Sequence, residues 1–144
     1  MISECAFCTF PDKPTAADEF ARVLRTGGRL GLADVTVAVD RLPDELTSLT
    51  AWVACIADAR PLADYIAILG SAGLATRHTE SHDGALLRML DQIEARVKLA
   101  RMTRAAMLDE AGVDTEAVLG YLERVRCAVT DGLLGYALLI AEKP

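Results

Sequence analysis

The four cysteines have the most versatile side-chain chemistry in this sequence, and their spacing limits what they can do. Cys5 and Cys8 have the C-x-x-C spacing of a redox or zinc-binding pair, but no second half-site follows. Cys55 lies too far from Cys5 for local spacing to unite the two in a metal site. Cys127 lies among apolar neighbours on a predicted helix, and we expect it to be a core residue.

Histidine, aspartate and tryptophan give weaker signals. His78 and His82 have the i, i+4 spacing of two ligands on a helix, but their segment has the pattern of a strand end and a helix cap. Ser81-His82-Asp83 is contiguous, whereas triad residues converge from separate segments. Asp34 is predicted to end a strand, where it either contacts a substrate or caps a loop. Trp52 either lines a substrate pocket or packs in the core.

Composition restricts the class of protein. The 144 residues are 52% hydrophobic and 25% charged, which excludes a disordered chain and suits a single domain over residues 1–144. Fifteen basic and 21 acidic side chains give a formal charge of -6, which argues against nucleic acid as a partner. No apolar run approaches the roughly 20 residues of a membrane span, and no leader opens the chain. These features predict a cytoplasmic protein with reduced thiols.

Apolar spacing predicts an α/β fold. Gly27-Gly28 ends the first helix, which has Pro14 in its first turn, and the apolar run that begins at Arg29 predicts a strand covered on both faces. Asp83 is predicted to cap a long helix, with Met89 in the core. Further strands are predicted over 75–80 and 134–141, and further helices over 42–56, from 61 to about 72, 84–102, 104–110 and 114–130, with Met102 and Met107 also in the core.

The segments Ser3–Lys13 and Ala21–Leu30 resemble class I S-adenosylmethionine-dependent methyltransferases, although Thr26 replaces the usual proline. In those enzymes, a loop after the fourth strand precedes a helix ending in "RVLRPGGRL" and then the fifth strand. The resemblance implies an incomplete Rossmann-like methyltransferase sheet, of strands five, seven and six with a stub of strand four. Helices would cover both faces, and residues 84–130 would form a helical insertion before the last strand.

Within that family the sequence is most similar to the type-11 group and in places to arsenite methyltransferases. Ser3-Glu4-Cys5 and Cys55-Ile56-Ala57-Asp58-Ala59 fall where the latter enzymes have two of their cysteines, although Glu4 replaces asparagine and Asp58 replaces glycine. The resemblance implies a thiol site for a soft metalloid at Cys5 and Cys55, because soft sulfur ligands select soft ions. Otherwise both cysteines are core residues.

Two cofactor-binding features of the family do not occur in this sequence. These are the glycine-rich loop after the first strand and the acidic residue that binds the ribose. Gly27-Gly28 follows a helix and precedes a strand, which is the reverse order. We therefore expect S-adenosylmethionine, the cofactor that the resemblance implies, not to be bound by this chain alone, and we expect the chain alone to be inactive on its small-molecule acceptor.

Three interpretations follow from these missing features. The chain is a methyltransferase-like protein without the cofactor-binding half, a non-catalytic interaction or regulatory module, or the product of a truncated gene or misassigned start. An open sheet edge near Ile2 would favour a homodimer or a complementing N-terminal half. The sequence identifies no catalytic residue.

Overall fold

The computed structural model describes residues 1–38, Leu46, Ile56 and residues 58–144. Its four strands are β1 (Ile2–Glu4), β2 (Arg29–Val37), β3 (Ala75–Ser81) and β4 (Leu134–Glu142). They form one sheet in the order β1-β2-β4-β3, with β1 parallel to β2 and β4 antiparallel to both of its neighbours. The predicted insertion of the last strand between the other two is confirmed.

Helices fill the connections between the strands. A short 3-10 turn (Phe7–Thr9) follows β1 and leads into the first helix. The Asp12 carboxylate accepts a hydrogen bond from the Thr15 amide and so caps that helix. Gly27, at φ 72°, makes the turn into β2. The α-helices are α1 (Lys13–Val23), α2 (Leu62–Ser71), α3 (Asp83–Thr103), α4 (Ala105–Glu110) and α5 (Thr115–Thr130).

Helices lie on both faces of the sheet, as predicted, because apolar residues of β2 point alternately to its two sides. Leu30 and Leu32 pack into a core that α1 and α2 complete. Val35 and Val37 pack into a second core that α3 and α5 complete. The first core also contains Ala17, Tyr65 and Leu69, and the second contains Leu86, Leu90, Leu122 and Val125.

Part of the sheet is well covered on one side only. Leu32 of β2 and Leu139 of β4 are each 1% exposed on the side of α1 and α2. The alternating residues on the other side are only half-buried, and we call them the half-covered face: Gly31, Ala33, Leu138 and Ile140. Next to this face β1 forms the edge of the sheet, where Ile2 is 83% exposed. Among the described residues, an unpaired strand edge therefore adjoins an apolar surface.

Several predictions about the helices need correction. Asp83 is the first residue of α3 and not its cap, because its carboxylate accepts a bond from the Tyr136 amide instead. Cys127 is exposed on α5 and is not a core residue. The three methionines predicted in the core are also exposed: Met89 by 49%, Met102 by 84% and Met107 by 61%. The predicted helix over 42–56 lies outside the described residues, except for Leu46 and Ile56.

The helices that the structure describes include none with the length and apolarity to span a membrane.

Candidate functional site

A cavity of about 420 Å³ lies between the sheet and the helices α3 and α5. Its floor includes Val35 of β2 and Leu134 of β4, and one end is bounded by Glu4 and Cys5, where β1 stops. The carboxyl ends of parallel strands are the usual place for ligands in α/β proteins. The rest of the described lining is mostly aliphatic and comes from the helices: Ala85, Leu86, Met89, Leu90, Ile93, Leu122 and Val125, with Ile56 and two tyrosines.

Cys5 lies at the exposed rim of this cavity in a strained backbone conformation. Its φ of 46° places it in the left-handed region, which costs a residue with a side chain about 1–2 kcal/mol. The Cys5 amide still donates to the Ala33 carbonyl at 2.9 Å, so the chain turns away from β2 only after this bond. Strain of this kind is concentrated at functional sites. The Cys5 thiol is therefore held at the mouth of the cavity.

Tyr136 lies beside Cys5 and is fixed at two points. Its hydroxyl oxygen is 3.5 Å from the Cys5 sulfur, and its amide donates to the Asp83 carboxylate at 2.9 Å. Burial of the ring, reinforced by the contact with Cys5, raises the pKa of the Tyr136 phenol above its ordinary value. Tyr136 is consequently a neutral phenol in the cavity wall at physiological pH.

Tyr121 of α5 adds a second phenol to the lining. Its hydroxyl oxygen is buried and has no hydrogen-bond partner among the residues that the structure describes. Burial raises the pKa of this group, and the nearby positive charge of Arg124 opposes the shift only in part. The lining thus contains two neutral phenols.

An ion-pair network joins α3 and α5, the two helices that cover the cavity opposite the sheet and form its roof. Arg126 of α5 reaches across to α3, where its guanidinium lies 2.5 Å from the Asp91 carboxylate and 2.8 Å from that of Glu94. A single guanidinium suits this role because its five donors form a planar fork. Arg101 and Glu116 form a further pair between the same helices. The cavity therefore has a fixed roof.

Asp34 is a buried residue that supports the rim of the cavity without lining the cavity itself. The predicted strand end at Asp34 is wrong, because β2 continues to Val37. The side chain is 1% exposed and does not line the cavity. Its two carboxylate oxygens accept bonds from the amides of Cys8 and Val35, each at 3.0 Å. Asp34 thus holds the turn that follows β1 against β2, and the cavity rim belongs to this turn. A direct contact of Asp34 with substrate stays a prediction.

A second polar anchor joins the start of α1 to the segment before α2. The Lys13 ammonium lies 2.6 Å from the Asp58 carboxylate, and the two side chains are 5% and 18% exposed. Lys13 also donates to the Phe10 carbonyl at 3.0 Å. Asp58 stands where the resembled segment has glycine, and this ion pair gives the difference a structural role.

The sequence identified one residue of the cavity as a functional candidate. Cys5 lies at its rim, whereas Cys55 and Trp52 lie outside the described residues. The two tyrosines were missed, and their only sequence signal is rarity, since the chain has three tyrosines. His78 of β3 and His82, the residue after that strand ends, each lie 3.5 Å from Glu80. Within the described part of the chain, no group of three histidine, cysteine or acidic side chains is arranged to hold a metal ion.

No protein-family model matches the sequence, but solved structures match nearly its whole length. A protein from Galdieria sulphuraria assigned as a sarcosine dimethylglycine methyltransferase is 20% identical, with a TM-score of 0.79 over 99% of this chain and 51% of that one. Phosphoethanolamine N-methyltransferase 2 from Haemonchus contortus, solved with phosphomonomethylethanolamine and S-adenosylhomocysteine, is 14% identical, with a TM-score of 0.78 over 99% and 32% of the two chains.

A third similar structure is geranyl diphosphate C-methyltransferase from Streptomyces coelicolor, solved with Mg²⁺, geranyl diphosphate and S-adenosylhomocysteine. It is 14% identical, with a TM-score of 0.69 over 99% of this chain and 45% of that one. The chain thus spans between 32% and 51% of the length of these three structures. It has an α/β fold similar to that of class I S-adenosylmethionine-dependent methyltransferases.

Proposed function

We propose that this chain supplies the acceptor-binding part of an S-adenosylmethionine-dependent methyltransferase that acts on a small molecule. The observation that carries the proposal is the cavity beside the carboxyl ends of the parallel strands β1 and β2 in a methyltransferase-like sheet. In this proposal β1, β2, β3 and β4 correspond to strands four, five, six and seven of the family. Residues 84–130 are then an insertion whose helices roof the acceptor site.

The described lining of this cavity does not resemble a site for S-adenosylmethionine. Such a cofactor needs oriented polar partners for its adenosine and for its charged amino-acid end. Among its described lining residues, the polar side chains are those of Glu4, Cys5, Tyr121 and Tyr136. Gly27-Gly28 lies between α1 and β2, and so it does not form a glycine-rich loop after a strand.

Calorimetry tests the proposal with two proteins. The 144-residue chain alone is expected to bind S-adenosylmethionine weakly or not at all. A chimera, in which this chain replaces the matched part of the Galdieria protein, is expected to bind it with a low-micromolar dissociation constant. Low-micromolar binding by the chain alone would refute the expected incompleteness of its cofactor site. A folded chimera that does not bind would argue against the proposed function.

A metalloid-binding thiol site is the finer form of this proposal, supported by Cys5 at the cavity rim and by the arsenite-methyltransferase resemblance. Trivalent arsenic is expected to bind the wild-type chain, because two thiolates suit a soft centre. Cys55→Ser should weaken binding at least tenfold, whereas Cys127→Ser, at an exposed position on α5, should leave it unchanged. Arsenic titration monitored by mass spectrometry measures both, and equal affinities for the two variants would leave no role for Cys55.

A non-catalytic interaction module is the second candidate function. The position of β1 at the edge of the sheet that the structure describes, beside the half-covered face, favours it, because an exposed strand edge invites pairing with another chain. Either a second copy or a separate chain carrying the cofactor-binding elements could pair with this edge.

Self-association through this edge is a direct expectation. Sedimentation at low micromolar concentration should show a dimer of the wild-type chain. Ile2→Lys should shift it to the monomer, because lysine on an edge strand opposes pairing. Val23→Lys, at another exposed apolar position (58% exposed, at the end of α1), is the matched control and should remain dimeric. A wild-type monomer with cooperative unfolding would contradict the expectation.

A further inference from the structure

The charges around the cavity restrict what can enter it. The described lining residues include no lysine, arginine or histidine. The ionisable side chains among them are Glu4, Cys5 and the two tyrosines, and burial keeps both phenols neutral. Glu4 is exposed where the cavity opens, and so a carboxylate stands at its mouth. Among the described lining residues an anionic group would lose its hydration without meeting a cation, and Arg124, whose charge acts on Tyr121, is not one of them.

The aliphatic lining favours an apolar body. Leucine, isoleucine and valine side chains of α3 and α5 make up most of the roof, and the cavity of about 420 Å³ falls within the common range for small-molecule pockets. Arg126 does not offset this character, because its guanidinium is engaged by Asp91 and Glu94. The formal charge of -6 on the whole chain further opposes anions.

We infer that the cavity takes a neutral, largely apolar small molecule as the acceptor, as the alternative to a metalloid at Cys5 and Cys55, and that it excludes anionic acceptors such as phosphate esters and diphosphates. That the bound molecule is a methyl acceptor rests on the proposed function, whereas the preference of the cavity for neutral, apolar molecules does not depend on it. It separates this chain from the phosphoethanolamine and geranyl diphosphate methyltransferases described above, because the phosphorylated ligands in those structures carry the charge that this cavity disfavours.

The test compares geraniol with geranyl diphosphate, which share an apolar chain and differ in charge. Calorimetry on the full chain without S-adenosylmethionine should show geraniol binding at least tenfold more tightly than the diphosphate. Glu4→Lys should reduce the ratio of the two dissociation constants threefold or more, because it replaces the carboxylate at the mouth of the cavity with a cation. Asp18→Lys, an equal change of charge at an exposed position of α1, should leave the preference unchanged.

A second variant locates the binding. Met89 lines the cavity from a position that is 49% exposed, so Met89→Trp should fill the space without disturbing the fold. It should weaken geraniol binding at least tenfold at an unchanged midpoint of urea unfolding. Equal affinity for the two ligands, no saturable binding of geraniol, or the same result from Glu4→Lys and Asp18→Lys would each overturn the inference. Because the cofactor is absent, failure here is distinct from failure of the proposed function.

Discussion

Asp58→Ala should lower the free energy of unfolding by roughly 2–4 kcal/mol, because it leaves the Lys13 ammonium buried without its anion. The ammonium is the more deeply buried partner, and its remaining contact is the Phe10 carbonyl. The expected loss is somewhat below that of a fully buried pair, since Asp58 retains 18% exposure. Urea unfolding measures the change as a shift of the midpoint at constant slope.

The reverse variant should cost less. Lys13→Met removes the cation and leaves Asp58 partly exposed, with the Arg60 guanidinium 3.4 Å away as a second partner. The Lys13→Met and Asp58→Asn double variant should recover part of the stability that Asp58→Ala loses. As a matched control, Glu19→Ala breaks the exposed Arg22–Glu19 pair and should cost less than about 1 kcal/mol. Similar losses from Asp58→Ala and Glu19→Ala would show that burial of the pair contributes little.

Local pattern was sufficient to predict the α/β class and most of the described helices and strands, whereas the strand order came from the family resemblance. Gly27 sits at φ 72° between α1 and β2, so the predicted break at this glycine is also a turn in the structure, and the helix predicted to end at about 72 is followed by Gly73 at φ 82°. The last strand was predicted over 134–141 because a β-rich run is bounded by turn residues, and the structure extends it by one residue to Glu142. These features depend on residues that are close together in the sequence, and so one sequence is enough to predict them.

The candidate site depends on contacts that no local pattern records. Cys5 and Tyr136 are 131 positions apart, and only the sheet order brings the thiol to the phenol. Asp83 appeared to be a helix cap because aspartate commonly precedes helices, yet the approach of β4 gives its carboxylate a backbone amide to bind. Met89 was assigned to the core by helical spacing, but it borders a cavity, and spacing alone cannot distinguish a filled core from an open one.

Asp34→Ala is expected to destabilise the protein by about 2–6 kcal/mol, because it leaves the amides of Cys8 and Val35 buried without the carboxylate acceptor at a cost of about 1–3 kcal/mol each. Asp34→Asn should cost about half as much, since the amide oxygen can still accept one of the two bonds while the amide nitrogen faces the other donor. Asp18→Asn, at an exposed position of α1, should be neutral within about 0.5 kcal/mol.

The Asp34 variants also distinguish a positioning role from a general contribution to stability. If the carboxylate holds the turn after β1, Asp34→Asn should accelerate hydrogen exchange at the Cys8 amide far more than at amides of β4 under native conditions. The same variant should weaken arsenic binding, because Cys5 precedes this turn, without any change to the cysteines themselves. Uniform acceleration of exchange across the sheet would mean that Asp34 stabilises the whole domain. A direct role in binding a substrate would instead lower ligand affinity while leaving the exchange of Cys8 unchanged.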